Sequence, residues 1–279
     1  MESIIDISKL LGNIHCYEPE IWKLIMDMVF IPCHENREGK HKYIRALPKP
    51  GTNYIVEGSF NNNKTNNLEM VICDESVTRI GDCAFMGCHS IVSIIIPESV
   101  TTIGTHAFQF CSKLMSINIP NSVTSISNSA FEFCRNLTTI NIHNLVTSIG
   151  DSAFSCCINL ESITIPNSVV SIGNSAFVDC HSLMSITIPE YVSSIDEYTF
   201  IGCHNLTSII LPDSITYIGP YAFSNCRNLT SIIIPGSVTS ISDYAFEGCI
   251  YLESITLPKS IIHISENAFE SWHTIIRTS

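Results

Sequence analysis

Thirteen cysteines in 279 residues are the first side chains that could do chemistry. A thiolate is a nucleophile and a soft metal ligand, and two thiols can oxidise to a disulfide. Spacing decides among these roles. Eight of the cysteines, Cys88, Cys111, Cys134, Cys157, Cys180, Cys203, Cys226 and Cys249, follow one another at steps of 23 residues. Equal steps put equivalent sulfurs in a straight file, whereas zinc needs four ligands converging on one point. The file is therefore expected to hold small buried hydrophobes whose S–H donates weakly to loop backbone, with no disulfides along it. Cys156 and Cys157 are adjacent, so their side chains diverge. Cys16, Cys33, His34 and His41 match none of the usual finger spacings, and no metal is expected there.

Acid–base and nucleophilic chemistry find no grouping either. A general acid and base need two positioned titrating groups in a cleft. Asp151, Asp179, Asp213 and Glu247 sit on scattered turn positions, and no Ser-His-Asp set can be assembled by spacing. His106, His143, His181 and His204 occupy different places, and no G-x-x-x-x-G-K-[ST] run is present. No catalytic residue, cofactor, metal or small-molecule substrate is expected. The formal net charge of -12 argues against a nucleic-acid partner and against docking on an anionic membrane. No segment reaches eighteen uncharged apolar residues, so no membrane span is expected. The start lacks a basic stretch followed by an apolar one. Together with the many free thiols this favours a reducing, cytoplasmic setting and leaves the cell surface open. Asn63, Asn136, Asn205 and Asn228 each begin an N-x-T sequon, and they read as turn-forming asparagines.

The element that positions the cysteine file is a repeat. Phe85, Phe108, Phe131, Phe154, Phe177, Phe200, Phe223, Phe246 and Phe269 keep the same 23-residue step. So do Ile91, Leu114, Leu137, Leu160, Leu183, Leu206, Leu229, Leu252 and Ile275. Each copy reads L-x-x-I-x-I-P-x-S-V-T-x-I-G-x-x-A-F-x-x-C. Isoleucines two apart, such as Ile94 and Ile96, mark a strand with one face inward, and the proline after it ends the ladder. V-T-x-I is a second, looser extended run. Gly81, Gly104, Gly150, Gly173 and Gly219 stand where the chain turns again and tolerate a positive φ, although Ser127, Asp196, Ser242 and Ser265 take the same place elsewhere. A-F-x-x-C suits a single helical or 3₁₀ turn. One unit cannot bury its own apolar face, but a stack can, with every inward column becoming a ladder.

These residues resemble the leucine-rich repeat superfamily and, within it, the BspA-like class of 23-residue repeats, over about residues 68–279. The resemblance implies a β-rich, right-handed curved solenoid with a parallel sheet on the concave face, and binding rather than catalysis, often adhesion or protein recognition. The first turn is irregular. Phe60 stands eight residues before Leu68, where the regular step is six, so 51–73 reads as a capping turn with an insertion. Trp272 replaces the last turn cysteine and is expected to cover the final coil.

Residues 1–50 do not repeat and are expected to form a small helical cap or module plus a linker, leaving 51–279 to the solenoid. Ile21, Leu24, Ile25, Met28 and Val29 share one face of a short amphipathic helix, between Pro19 and Pro32. A second short helix is expected at ISKLLGNI. The basic stretch NREGKHKYIRALPKPG reads as a loop. Glu20-Ile21 and Leu24-Ile25 slightly resemble the start of an F-box helix, which would imply a substrate-recruiting adaptor, but residues 34–50 offer no further helices.

Binding must use side chains that stacking leaves free. On the concave sheet these are a serine and threonine column starting at Ser93, a second column (Ile95, Asn118, Asn141, Thr164, Thr187, Ile210, Ile233 and Thr256) and a third that includes Met115 and Met184. Serine and threonine suit any half-exposed strand. Isoleucine on an open face has no folding duty, so Ile95, Ile210 and Ile233 are the first candidates for contact with a protein partner. The leading expectation is a noncatalytic protein-binding scaffold. A surface adhesin and a passive structural spacer are the alternatives.

Overall fold

The computed structural model describes residues 30–35, 41–46, 54–55, 69–269 and 274–277. Each coil opens with a strand of three or four residues, as in Ser93–Ile95, Ser116–Asn118 and Thr139–Asn141, whose central isoleucine is buried and whose flanks face out. Neighbouring coils pair in parallel one repeat apart, Ile117 beside Ile140 and Ile140 beside Ile163. After the proline turn comes a second strand of two residues, as in Ser148–Ile149, which pairs in parallel with Ser125–Ile126 and Ser171–Ile172. The expected two-sided solenoid is therefore present, with Val71 beside Ile94 placing the capping turn in register.

Between the two sheets the inward columns meet. Phe85 through Phe246 are fully buried and Phe269 is half-buried at the end of the stack. Successive rings of this file lie 5.2–5.6 Å apart, nearly parallel. Strands in a sheet repeat at about 4.7–4.9 Å. Equivalent points are thus wider apart on the phenylalanine side than on the strand side. The coils fan away from the strands, and the sheet of three-residue strands is the concave face.

The A-F-x-x-C segment is neither helical nor 3₁₀. Its bonds are of the i to i+3 kind, Met86 N–H to the Cys83 carbonyl and Cys88 N–H to that of Phe85. Two residues per coil, however, lie in the left-handed region: the one before Ala-Phe, as Ser152 at φ 53°, and the one before the turn cysteine, as Cys156 at φ 58°. With these two left-handed residues four apart, every second N–H of the segment points toward the next coil. Ser152, Phe154 and Cys156 donate to the carbonyls of Asn174, Ala176 and Val178. A third backbone ladder thus runs along the turn side and satisfies groups that a short helix would leave open.

The repeat glycines also differ from expectation. Positive φ among glycines is found at Gly87, Gly202 and Gly248, not at Gly81, Gly104, Gly150, Gly173 or Gly219. Close approach is the constraint instead. Asp82, Asn128 and Asp151 accept a hydrogen bond from the N–H just after the glycine of the next coil, at 2.8–2.9 Å. A Cβ on Gly150 would lie 2.7 Å from the Asn128 nitrogen, whereas one on Gly236 would meet nothing within 4 Å. Gly150→Ala is therefore expected to cost about 1–3 kcal/mol and Gly236→Ala no more than about 0.5 kcal/mol. Urea titration of both variants checks this, and equal effects would count against the close-approach reading.

Among the described residues no helix is present, and the helices expected before residue 30 lie outside them. Phe30–Glu35 and His41–Ala46 form an antiparallel pair, and the latter runs parallel to Met70–Cys73. His41–Ala46, expected as loop, is therefore a strand. Without it the edge of Met70–Cys73 would leave N–H and C=O groups unpaired, and a neighbouring segment can satisfy these whatever its own polarity. At the other end Thr274–Arg277 pairs with Ser254–Leu257 so that Ile275 stands beside Ile255. Ile275 thus belongs to the strand register rather than to the leucine column, and the last coil is three residues short. Trp272 and the segment between Ile55 and Glu69 lie outside the described residues.

Candidate functional site

The concave face is built by period-two alternation. Because Ile94, Ile117, Ile140 and their equivalents turn inward, the residues on either side must turn outward. Asn118, Asn141, Thr164 and Thr187 are exposed there, as are Met115 and Met184 at the strand starts, while Thr256 is half-buried. The isoleucines of this column are 48% (Ile95), 59% (Ile210) and 74% (Ile233) exposed. Ile210 and Ile233 stand on adjoining coils, and Ile233 pairs with Thr256. Ile95 is five coils away from Ile210, at about 4.8 Å each, so the structure does not bring it to them. It lies instead beside Ile72. The face therefore has two apolar ends separated by the polar run Asn118 to Thr187.

Ile72 was missed by the sequence reading. It is half-buried and stands one 23-residue step before Ile95, so continuing the column would have found it. The irregularity of the first turn hid that step. Charge on the face is sparse, with Glu69, Glu161 and Glu253 at strand starts. Apolar anchors amid small hydroxyls, with few charges, are the composition of an interface centre. No acid–base pair accompanies them.

The thiol file lies on the other side of the core. Cys111, Cys134, Cys157, Cys180, Cys203, Cys226 and Cys249 point their Sγ at the phenylalanine carbonyl of the preceding coil, at 3.1–3.2 Å. That carbonyl also accepts the N–H of its own coil's cysteine, as Phe85 does from Cys88, so both lone pairs are used. Burial raises the thiol pKa well above its ordinary value at Cys111, Cys134, Cys157, Cys180 and Cys226. Cys73 is pushed up to about 12 by burial and by Asp74. Such thiols carry almost no thiolate near neutral pH and are inert. Among the described cysteines, an aromatic disulfide reagent is expected to leave this file unmodified in the native protein and to react first at the half-buried Cys83 and Cys156. Rapid modification of Cys157 or Cys180 without unfolding would contradict this.

Of the sequon asparagines, Asn63 lies outside the described residues, and Asn136, Asn205 and Asn228 have side-chain partners. Asn228 Nδ2 donates to Asn205 Oδ1, and Asn159 Nδ2 to Asn136 Oδ1, while Thr138 and Thr207 hydroxyls donate to the Met115 and Met184 carbonyls. Among the described residues no group of three or more His, Cys, Asp or Glu is arranged to hold a metal. Cys16 lies outside them, as do the side chains of Cys33, His34 and His41. No helix of the described residues is long and apolar enough to cross a membrane.

The profile of the family described as BspA type leucine rich repeat region matches residues 53–184 and 147–276. Among solved structures, the leucine rich repeat protein of T. pallidum, TpLRR, is 30% identical with a TM-score of 0.56, over 70% of this chain and 86% of that one. A leucine-rich repeat protein from Eubacterium ventriosum is 24% identical with a TM-score of 0.51, over 81% and 82%, and bears on the fold alone. A leucine rich cell surface protein from Faecalibacterium prausnitzii is 26% identical with a TM-score of 0.44, over 90% and 93%. A search of curated proteins finds no match.

Proposed function

Because the chain belongs to the BspA-type leucine-rich repeat family, a family of noncatalytic interaction modules, we propose that it binds a protein partner through its concave sheet face. The observation that carries the proposal is the placement of Ile72, Ile95, Ile210 and Ile233 on that face, outside the stacked core. Ile95, Ile210 and Ile233 stay well exposed in the chain and Ile72 half-exposed, and covering each exposed isoleucine would gain up to about 1.5–3 kcal/mol of apolar transfer under a partner.

Of the two modes open from the sequence, adhesion at a cell surface is the one we favour over a cytosolic scaffold. Family membership supports it, since adhesion is one of the roles that the resemblance implies. The count of free thiols no longer speaks against it. A file of buried, protonated sulfurs, each engaged with a carbonyl, needs no reducing compartment to stay unpaired. The sequons at Asn136, Asn205 and Asn228 give no support in either direction, because these asparagines are already engaged in side-chain ladders.

Labelling of intact source cells with a membrane-impermeant amine reagent separates the modes. The adhesin reading expects the chain to be labelled before lysis, and its immobilised form to retain a partner from an extracellular or neighbouring-cell extract. Protection until lysis, with a partner found in the cytosol, would return the scaffold reading.

A further inference from the structure

The left-handed residue before the Ala-Phe position is small in four coils, Cys83, Ser129, Ser152 and Ser175, and a single histidine, His106, in one. In three consecutive later coils it is tyrosine: Tyr198 at φ 58°, Tyr221 at φ 53° and Tyr244 at φ 59°. A bulky side chain is unfavourable in that region, and serine evidently suffices for the fold. An outlier of this kind, repeated three times in register, points to a use other than folding.

The three rings form an open stack on the convex turns, with centroids 5.2 and 4.9 Å apart and 17° between planes. The column continues into Ser175, so no ring from that coil stacks on Tyr198, and all three tyrosines are half-buried. Carboxylates gather around the stack. Glu197 directly precedes Tyr198, and Asp243 and Glu247 flank Tyr244, while burial and then the neighbouring Tyr244 and Glu247 raise the Tyr221 phenol pKa. Over residues 190–269 there are eight Asp and Glu but only Arg227 and Lys259 to oppose them, and neither of these lies on the tyrosine turns. Aromatic faces rimmed by carboxylates attract cations, and a planar guanidinium both stacks on the ring and pairs with the acid.

We propose that this strip is a second interaction surface, on the convex side, which takes an arginine-bearing cationic segment of a partner. Because it lies on the turns rather than on the concave sheet, it stands or falls independently of the sheet-face reading.

The probe is a fluorescent hexa-arginine peptide titrated into the full chain, followed by anisotropy at moderate salt. Saturable binding is expected. Y198S/Y221S/Y244S should weaken it about tenfold or more, since three cation–π contacts on half-buried rings are removed. Its far-UV circular dichroism and urea midpoint should stay close to those of the parent, because serine already holds the same position in other coils. A second variant, E197Q/D243N/E247Q, keeps the rings and should also weaken binding. A hexalysine peptide, which cannot stack, should bind more weakly than hexa-arginine. If the serine variant binds hexa-arginine as tightly as the parent, attraction is only the bulk effect of a net charge of -12 and the proposal is overturned. Equal affinity for the two peptides would overturn it as well.

Discussion

Phe154→Ala is expected to destabilise the protein by about 3–5 kcal/mol. Phe154 is fully buried, and its ring lies 5.6 Å from that of Phe131 and 5.5 Å from that of Phe177. Truncation removes both stacking partners' contact at once and opens a cavity with no flexible side chain to fill it. The backbone around the site leaves little room to collapse. The Phe154 N–H is held by Ala176, and its carbonyl by Cys157 N–H and Cys180 Sγ. In a stack each coil touches only its neighbours, so a weakened coil in the middle uncouples the two halves. Urea unfolding should therefore shift to a lower midpoint and broaden or split. Phe269→Ala, at the half-buried end of the file, should cost clearly less. Equal costs at the two positions would show that the phenylalanine file is not the spine of the fold.

Ile95→Glu, Ile210→Glu and Ile233→Glu, combined, are expected to abolish partner binding while leaving the urea midpoint within about 0.5 kcal/mol of the parent per site. The three side chains project away from the core, so a carboxylate there stays in water in the free protein. In a complex it would be buried without a counter-ion, which costs several kcal/mol on top of the lost apolar contact. The single changes are expected to be unequal. Ile210 and Ile233 share one patch and should couple, whereas Ile95 acts with Ile72 at the far end. An unchanged partner would place the site elsewhere, on the turns or on the segment before residue 30.

How much of this could be read from the residues follows from what the repeat records. Every inward column was legible, because burial selects one residue type at each step of 23 and the pattern then repeats itself. The two sheets, the phenylalanine ladder and the idle cysteines all follow from that. The turn was not legible. Ser152 and Cys156 hold left-handed φ although nothing in their side chains demands it, since the requirement comes from the backbone bonds to Asn174 and Val178 in the next coil. The glycines misled for a related reason. Gly150 is small to admit the neighbouring coil's Asn128, a constraint invisible within one repeat.

The ends departed from expectation where the repeat stops. His41–Ala46 pairs with the sheet through its backbone, which hydrophobic patterning does not report. Ile275 pairs with Ile255 twenty residues earlier, three short of the regular step, which a column count at 23 does not anticipate. On the concave face the candidates themselves were correctly placed outward, but their division into two apolar ends was not visible. A column of residues gives order along the stack, and only the spacing of the coils turns that order into distance.

The decisive measurement is site-specific photo-crosslinking from the face itself. A photoreactive amino acid is placed at Ile233, the most exposed isoleucine of the sheet, and separately at Val170, which precedes the second strand Ser171–Ile172 on another side of the coil. Each protein is irradiated in contact with its native source cells or their extract, and adducts are identified by mass. If the concave face is the binding site, position 233 yields a discrete protein adduct that disappears in the presence of Ile95→Glu and Ile210→Glu, and position 170 yields none. An adduct formed from position 170 alone, or one at position 233 that survives both glutamates, would contradict it.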